Sequence, residues 1–408
     1  MSEYVDPDSG NVFEYGVQLF NDYGPARAFF ERLGITPTAP ARLPLTQQFV
    51  DFTTGRGVNY TVPSLADTTA ALKKFLEVVE PFENYLLPGY WNFPQPSAIP
   101  ADLLLPFRRF VEKYNIQAAV LQIFETTGFG AGNWDTALTM YLLSAFGPPM
   151  IRFLLGNGAL FTPSSRRNSE VYESIQYRLR DEVLYNSTVT QSDRALDGHT
   201  LWVRDHNKGS CTIVHAKKLL IAIEPTDANM APFAVDNREQ KVFSKLRFQN
   251  VQVGIVSHPS LPTGVSLVNT PAAAAGGNYL ALPKLNFNIR YDHLGQNSTN
   301  FRVMVVGESS MSKSDAQKVV TAGFDVLVAA GTVPPKANGS GNLKFKVWSN
   351  HGHMHGHASA EEIRGGFIQK QYALQGHKGT WWTGGAFSHQ FQTILWAFDD
   401  ILLSKMFA

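Results

Sequence analysis

The residues with the clearest chemical meaning lie near the C-terminus, where Trp381 and Trp382 precede Thr383, Gly384 and Gly385. We expect a helix to begin here, and the small residues leave its first backbone N–H groups uncovered. Such groups lack partners within the helix and carry a partial positive charge, which suits the electron-rich edge of a flavin ring. The tryptophans would then form walls of the site. The alternative is that both are packing residues beside a tight glycine turn.

A second candidate is the run HGHMHGH, in which histidines occur at every second position from His351 to His357. On a regular strand this period would place all four imidazoles on one face, where they could bind Zn or Cu. The run contains no carboxylate, and a helix is predicted directly after it, from Ser359. We therefore predict no metal site and favour a polar strand end near the mouth of a site. His351 is the candidate for contact with a substrate.

Several other catalytic motifs do not occur in the 408 residues. There is no P-loop, no GxSxG elbow and no paired-cysteine zinc motif, so hydrolase and nucleotide triphosphatase functions have no support. The segment GFGAGNW has Asn133 where a dinucleotide-binding turn needs its third glycine, and it lies between helical patterns.

Composition limits the class of protein and its partners. The chain is 44% hydrophobic, and 35 basic residues against 34 acidic ones give a formal charge of +1. This predicts a globular protein of two structural units, with a small-molecule partner rather than nucleic acid or an anionic membrane. Cys211 is the single cysteine, so no intrachain disulfide can form. No apolar run reaches 18 residues, so no membrane span is predicted.

The elements that must position these residues can be inferred from periodicity and capping. A Pro-Asp-Ser-Gly turn at 7–10 predicts a short hairpin, and Pro25 and Gly34 bound a first helix. Apolar residues at helical spacing then predict helices from residue 63, over 103–114 and over 134–146. These helices would form a lid over the site.

The remainder of the chain mixes helices with strands. Asn168 is predicted to cap a helix, and the wholly apolar run Leu219–Ile223 is typical of a strand covered on both faces. Strand-like runs between 243 and 348 predict a mostly antiparallel sheet. Ser359 and Glu362 form a capping box, and an amphipathic helix closes the chain. The fold class is therefore α/β, with an α+β component.

Six segments, in order along the chain, give the sequence a family resemblance. It resembles fungal members of the flavin-containing amine oxidase superfamily, through DPDSGNVFEYGVQ, IPADLLLPFRRFVEKY, SEVYESIQYRLRDEVLYNSTV, AKKLLIAIEP, LQGHKGTWWTGGAF and LWAFDD. The resemblance implies a flavoprotein oxidoreductase that uses FAD and accepts hydride from a small organic substrate, such as a fungal secondary metabolite.

The resemblance also implies roles for particular residues. Tyr15, Gly16, Val17 and Gln18 would lie against the isoalloxazine ring, although the residues alone also fit an ordinary strand beside a turn. Val189 would meet adenine through its backbone. In the C-terminal motif, Trp382, Thr383 and Gly384 would contact the pyrimidine end of the flavin. Trp381 would form an aromatic wall of the substrate site. No catalytic acid or base is assigned.

Two features depart from the superfamily pattern. A strand, a GxGxxG turn and a helix normally come first and hold the FAD diphosphate, and this sequence begins after them. We therefore expect a truncated chain that binds FAD poorly and has an exposed sheet edge. Gly254 also stands where many amine oxidases have a lysine facing the flavin, which disfavours simple amine oxidation. An alternative hypothesis is a non-catalytic remnant that binds a ligand or partner without FAD.

The resemblance finally implies a division into two discontinuous parts. A truncated Rossmann-like FAD-binding part would comprise residues 1–62, 166–232 and 358–408, and a substrate part 63–165 and 233–357. The sequence leaves the compartment undetermined.

Overall fold

A computed structural model describes residues 3–41, 43–127, 133–295, 298–335 and 341–408, so the glycines of GFGAGNW lie outside the described residues. The α-helices of these ranges are α1 (Ala26–Leu33), α2 (Leu65–Val79), α3 (Glu83–Leu86), α4 (Phe107–Tyr114), α5 (Val120–Thr127), α6 (Thr139–Ala145), α7 (Pro148–Leu154), α8 (Ser169–Leu179), α9 (Asp227–Met230), α10 (Asn237–Phe243), α11 (Lys313–Ala329), α12 (Ala360–Arg364), α13 (Phe367–Tyr372) and α14 (Gln392–Phe407).

The strands form several separate sheets. They are β1 (Glu3–Val5), β2 (Val12–Glu14), β3 (Phe20–Asn21), β4 (Pro37–Thr38), β5 (Thr46–Val50), β6 (Leu160–Pro163), β7 (Ser187–Ala195), β8 (Gly198–Asp205), β9 (Cys211–Ala216), β10 (Leu219–Ile221), β11 (Arg247–Ser257), β12 (Val265–Asn269), β13 (Phe287–His293), β14 (Asn300–Glu308), β15 (Lys344–His357) and β16 (Thr380–Trp382). The mixture of helices and sheets agrees with the predicted fold class.

The largest sheet has the strand order β15-β11-β14-β13-β12-β5, and its pairs are antiparallel except for β12 with β5. The mostly antiparallel sheet predicted between 243 and 348 is thus confirmed. Helix α11 packs on one face, where Val320 and Phe324 are fully buried. The prediction missed this helix, although Ser312, which accepts a hydrogen bond from the Asp315 N–H, is a capping signal in the sequence.

Helices α2 to α7 belong to the main hydrophobic core. Phe75, Phe107, Phe110 and Phe146 are fully buried there, and the same core extends to Trp382 and to α14. The predicted caps are present: Ser64 accepts from the Asp67 N–H, and a complete capping box begins α12. The expected helix over 134–146 is shorter, since its regular part is α6. None of the helices in the described ranges combines the length and apolar character that a membrane span requires.

Two short strands remote in sequence, β10 and β16, form a parallel pair. Leu219 is opposite Thr380 and Ile221 is opposite Trp382, and the Thr383 N–H extends the pairing by donating to the Ile221 carbonyl at 3.0 Å. Beside them, β7, β8 and β9 form an antiparallel sheet. The strand predicted from Leu219 is present but ends at Ile221, and the predicted run is not covered on both faces, since Ile223 is 46% exposed. Its partner is the strand that carries the two tryptophans.

The helix predicted to begin at Gly384 is wrong. Residues 383–391 form turns, in which the Phe387 and Ser388 N–H groups both donate to the Gly384 carbonyl, and α14 begins only at Gln392. Gly384 has φ of +99°, which a right-handed helix cannot accommodate. The turn nevertheless presents backbone N–H groups at the end of β16.

Candidate functional site

The candidate site lies where β10 and β16 end side by side. Ligands of open α/β sheets bind outside the carboxyl ends of parallel strands, and here the chain leaves those ends through Glu224 on one side and Gly385 on the other. Thr383 is held in place by donating a hydrogen bond from its hydroxyl to the Asp399 carboxylate of α14. The strand pairing and this bond together fix the start of the glycine turn.

Two adjacent backbone N–H groups, those of Gly385 and Ala386, lie near the Glu224 carboxylate and favour its charged form. We call this pair the N–H cradle. A Cβ on Gly385 would lie 1.8 Å from Gln390 Nε2 and 2.8 Å from Glu224 Oε1, so a larger residue here would force both side chains to move. Uncovered N–H groups at a helix start were predicted here, whereas the structure has a turn whose N–H groups face Glu224, with Ala386 buried.

Glu224 is half-buried at the cradle. Burial raises its pKa to about 7, because removal from water penalises the charged carboxylate more than the hydrogen bonds from Gln390, Ala386 and Gly385 favour it. The Gln390 amide lies 3.3 Å from Glu224 Oε1. The group therefore changes charge in the neutral pH range.

Trp382 is a core residue. It is fully buried, with its ring 6.0 Å from that of Phe387 in a stacked arrangement and 4.9 Å from that of Phe243 at a steep angle. Its indole N–H has no partner among the described residues. Trp381 is half-buried and lies against Gly376. Trp382 thus packs as the alternative interpretation describes, while the residues that follow it line the site.

A cavity of about 20 Å³ adjoins the cradle. It is bounded on the cradle side by Gly385 and Gln390 and elsewhere by Tyr141, His355, His357, His389 and neighbouring residues. The Tyr141 hydroxyl accepts a hydrogen bond from the Ala358 N–H at 2.9 Å. The cavity therefore joins the turn after β16 to the end of β15 and to α6.

His389 presents an unpaired acceptor within this cavity wall. Its Nε2 donates to the Leu86 carbonyl at 2.7 Å, which leaves a lone pair on Nδ1, and Nδ1 is buried without a partner. Burial lowers the pKa of His389 to about 4, and that of His355 to about 4 as well. Both imidazoles are therefore neutral at pH 7 and act as dipoles rather than as charges.

The four histidines of β15 do not share one face. The register of β15 against β11 shifts at three points, one of them between His353 and His357, so that His353 is opposite Asn250 and His357 is opposite Arg247, an odd number of residues apart on β11. Within the ranges the structure describes, no group of histidine, cysteine, aspartate or glutamate side chains is arranged to hold a metal ion. His351 is exposed and does not border the cavity, whereas His355 and His357 do.

The N-terminal candidates lie at the start of α8. Tyr15 to Gln18 connect β2 to β3, and the Val17 carbonyl accepts a hydrogen bond from Asn168 Nδ2 at 2.8 Å. Asn168 is the N-cap residue of α8 as predicted, but its side chain makes no capping bond there. Val189 lies on β7 opposite Val203. Val17 and Val189 are thus held by contacts within the chain.

Gly254 has a packing role. It is opposite Trp348 on β15, and a Cβ at this position would lie 2.3 Å from the indole ring. Its neighbours on the same face, Gln252 and Val256, lie toward α11 and its core. The glycine therefore accommodates Trp348.

Sequence reasoning missed Glu224, Gln390 and His389, and within the histidine run it singled out His351 rather than His355. Glu224 carried the one available signal, since it is an acidic residue directly after a wholly apolar run. The importance of the other three depends on contacts between segments that are distant in the chain.

No family model matches the chain. It is 31% identical to the FAD-dependent oxidoreductase pigF of Monascus ruber, over 94% of this chain and 79% of that protein. It is 29% identical to beta-cyclopiazonate dehydrogenase of Aspergillus oryzae, over 98% and 83% of the two chains.

Solved structures share its fold at low identity. The fatty acid isomerase of P. acnes matches with a TM-score of 0.73 and 18% identity, covering 98% of this chain and 88% of that one. Cyclohexylamine oxidase of Brevibacterium oxydans matches with a TM-score of 0.59 and 13% identity, covering 99% and 90%. With 31% identity to pigF over most of both chains, this chain belongs to the FAD-dependent oxidoreductases, and its fold is that of the flavin amine oxidases.

Proposed function

We propose that this chain oxidises a small organic molecule by hydride transfer to FAD, with the flavin's pyrimidine end placed at the N–H cradle. The observation that carries the proposal is the pair of N–H donors from Gly385 and Ala386 at the carboxyl ends of β10 and β16. Such donors match the acceptor atoms of a flavin's pyrimidine edge. When bound, the flavin supplies the hydride acceptor.

The cofactor site would be completed by residues that the family resemblance implies. Tyr15 to Gln18 are the proposed contacts of the isoalloxazine ring, and Val189 is the proposed backbone contact of adenine. Thr383 and Gly384 hold the cradle in position. Trp382, which is fully buried in the core, precedes the turn that contains the cradle.

The protein's own contribution to the reaction is orientation and exclusion of water. Tyr141 and His355 would face the substrate from the helical lid and from β15, with His351 and Trp381 as outer contacts. His389 Nδ1 offers a neutral acceptor for a substrate N–H or O–H. Because the cavity histidines are neutral at pH 7, they would orient the substrate without providing charge.

We also propose that the cofactor and the substrate are bound by two different, discontinuous parts of the chain. Residues 1–62, 166–232 and 358–408 would bind the cofactor, and residues 63–165 and 233–357 would bind the substrate. The cavity supports this division, since Gly385 and His389 belong to the first part and Tyr141 and His355 to the second. A beta-cyclopiazonate dehydrogenase among the relatives favours a secondary metabolite as the substrate.

The test is a titration of the purified chain with FAD, followed by absorbance at visible wavelengths and by quenching of flavin fluorescence. We expect saturable binding, and a loss of at least about tenfold in affinity for G385A, since its Cβ would lie in the space beside the N–H groups that the flavin's edge would need. G57A is the matched control, because a Cβ at Gly57 meets no atom within 4 Å.

Each other outcome has a distinct meaning. Equal affinities of G385A and the unmodified chain would place the flavin elsewhere. A folded chain that binds no FAD at millimolar concentration would favour the alternative, a protein that binds a ligand or partner without this cofactor.

A further inference from the structure

The N–H cradle already has an occupant from the same chain. Both of its donors are directed at the Glu224 carboxylate, and the amide of Gln390 approaches the same carboxylate. All three donors are neutral. Since paired backbone N–H groups at such a turn form an anion-binding concavity, the carboxylate acts as an internal anion.

A flavin edge and the Glu224 carboxylate cannot both use the cradle. Each N–H group makes one strong hydrogen bond, and the space beside Gly385 is filled by Glu224 Oε1 and by the Gln390 amide. A second acceptor beside the carboxylate would also meet its negative charge at short range. Binding at the cradle therefore requires the Glu224 side chain to leave.

We propose that Glu224 is a self-inhibitory occupant of the cofactor site, whose carboxylate must be displaced or protonated before the electron-rich edge of FAD binds. The inference rests on the proposed function, because it takes the cradle to be the place of the flavin's pyrimidine end. It assigns to Glu224 control of cofactor affinity, separate from any part in the oxidation itself.

The geometry makes this competition depend on pH. The raised pKa of Glu224, about 7, means that the carboxylate is neutralised between pH 8 and pH 6. A neutral carboxyl group is a weaker acceptor and releases the N–H groups more readily.

Other titratable groups also lie at the adjoining cavity and at the turn. Burial lowers the pKa of His355 and His389 to about 4, also lowers that of His357, and raises that of Tyr141. Burial raises the pKa of Asp399 as well, whose carboxylate accepts the hydrogen bond from the Thr383 hydroxyl. The comparison with E224A therefore isolates the contribution of Glu224 to the pH dependence.

The first experiment measures the FAD dissociation constant by fluorescence at pH 6 and pH 8. For a group with pKa about 7, the fraction without the competing charge falls about tenfold over this interval, so we expect affinity to fall about tenfold. E224A should bind about tenfold more tightly than the unmodified chain at pH 8, and its affinity should not depend on pH. D227N, which removes an exposed acid three residues away, should behave like the unmodified chain.

Weaker binding by E224A, or a pH dependence that survives the substitution, would overturn the proposal and make Glu224 a ligand of the cofactor. A second experiment needs no flavin. Formate is titrated into glycine-labelled (¹⁵N) protein at pH 8, and the Gly385 amide, identified by its absence in G385A, is followed by NMR. We expect formate to shift this amide in E224A and not in the unmodified chain.

The two experiments separate the two claims. If neither protein binds FAD but formate shifts the Gly385 amide only in E224A, the proposed function fails and the self-occupied cradle stands. If formate leaves that amide unchanged in E224A, the cradle does not bind anions and the inference is wrong.

Discussion

Next to β16, Arg194 and Glu239 form an ion pair that is almost completely removed from solvent, with side chains 1% and 0% exposed. Two of the guanidinium nitrogens donate to Glu239 at 2.9 and 2.5 Å, and one also donates to the Thr380 hydroxyl at 3.1 Å. The guanidinium lies 5.8 Å from the Trp382 ring centre. This pair therefore ties β7 and α10 to the strand that carries the cradle.

Removing one partner of this pair should be costly. We expect R194M to lower the free energy of unfolding in urea by about 3–5 kcal/mol, since it leaves a buried, unpaired carboxylate. The double variant R194M/E239L should recover part of the loss, although it also removes the bond from the Asp236 N–H to Glu239. A loss below about 1 kcal/mol for R194M would show that the ion pair contributes little to the stability of the fold.

The same region shows what single residues reveal in a sequence. The bare glycine turn after Trp382 was visible from residue types, and so was its suitability for an acceptor-rich ring. Glu224 and Arg194 could not be connected to this turn from the sequence. The position of Glu224 depends on the pairing of β10 with β16, and Arg194 reaches Thr380 of β16 from β7, in both cases across more than 150 residues. Local patterns contain no information on such pairs.

At the scale of elements, signals contained within one segment predicted well. The capping residues Ser64 and Ser359, the left-handed stop at Gly34 and the start of a strand at Leu219 were all correct. The failures involve neighbouring strands. The period-two pattern predicted that the histidines share one face of a strand, but bulges between β15 and β11 place them on both faces. The helix expected after Trp382 does not begin there, because Thr380–Trp382 pair with β10 as a strand.

Gly254 provides a test of how β11 and β15 fit together. We expect G254A to destabilise the chain by about 1–3 kcal/mol in chemical denaturation, because its Cβ would overlap the Trp348 indole. W348L should lose the Trp348 Nε1 bond to Gln252, 2.7 Å long, and should tolerate alanine at 254. If the effects of G254A and W348L are simply additive, the glycine is required for a reason other than the indole.

At the scale of the whole molecule, two sets of buried groups oppose each other in their response to pH. Burial raises the pKa of Glu14 and Glu224 to about 7 and lowers that of His355 and His389 to about 4. The acids bind more protons in the folded than in the unfolded chain, so their contribution to stability falls as pH rises from about 4.5 to 7. The histidines bind fewer protons when folded, so their contribution rises between about 4 and 6.5.

These opposing slopes should nearly cancel in the unmodified chain between pH 4.5 and 6.5. The double variant E14Q/E224Q removes the acidic set alone, so its free energy of unfolding should rise with pH relative to the unmodified chain. Each fully buried acid would contribute about 1.4 kcal/mol per pH unit. Because both side chains are only half-buried, we expect a relative slope of about 1 kcal/mol per unit for the pair.

Urea unfolding at half-unit pH intervals measures this difference directly. Contributions from the remaining carboxyl groups and histidines are common to both proteins and cancel in the comparison. Parallel stability profiles would mean that Glu14 and Glu224 titrate in the fold as they do in the unfolded chain. The N–H cradle would then hold its carboxylate without the burial that makes its occupancy sensitive to pH.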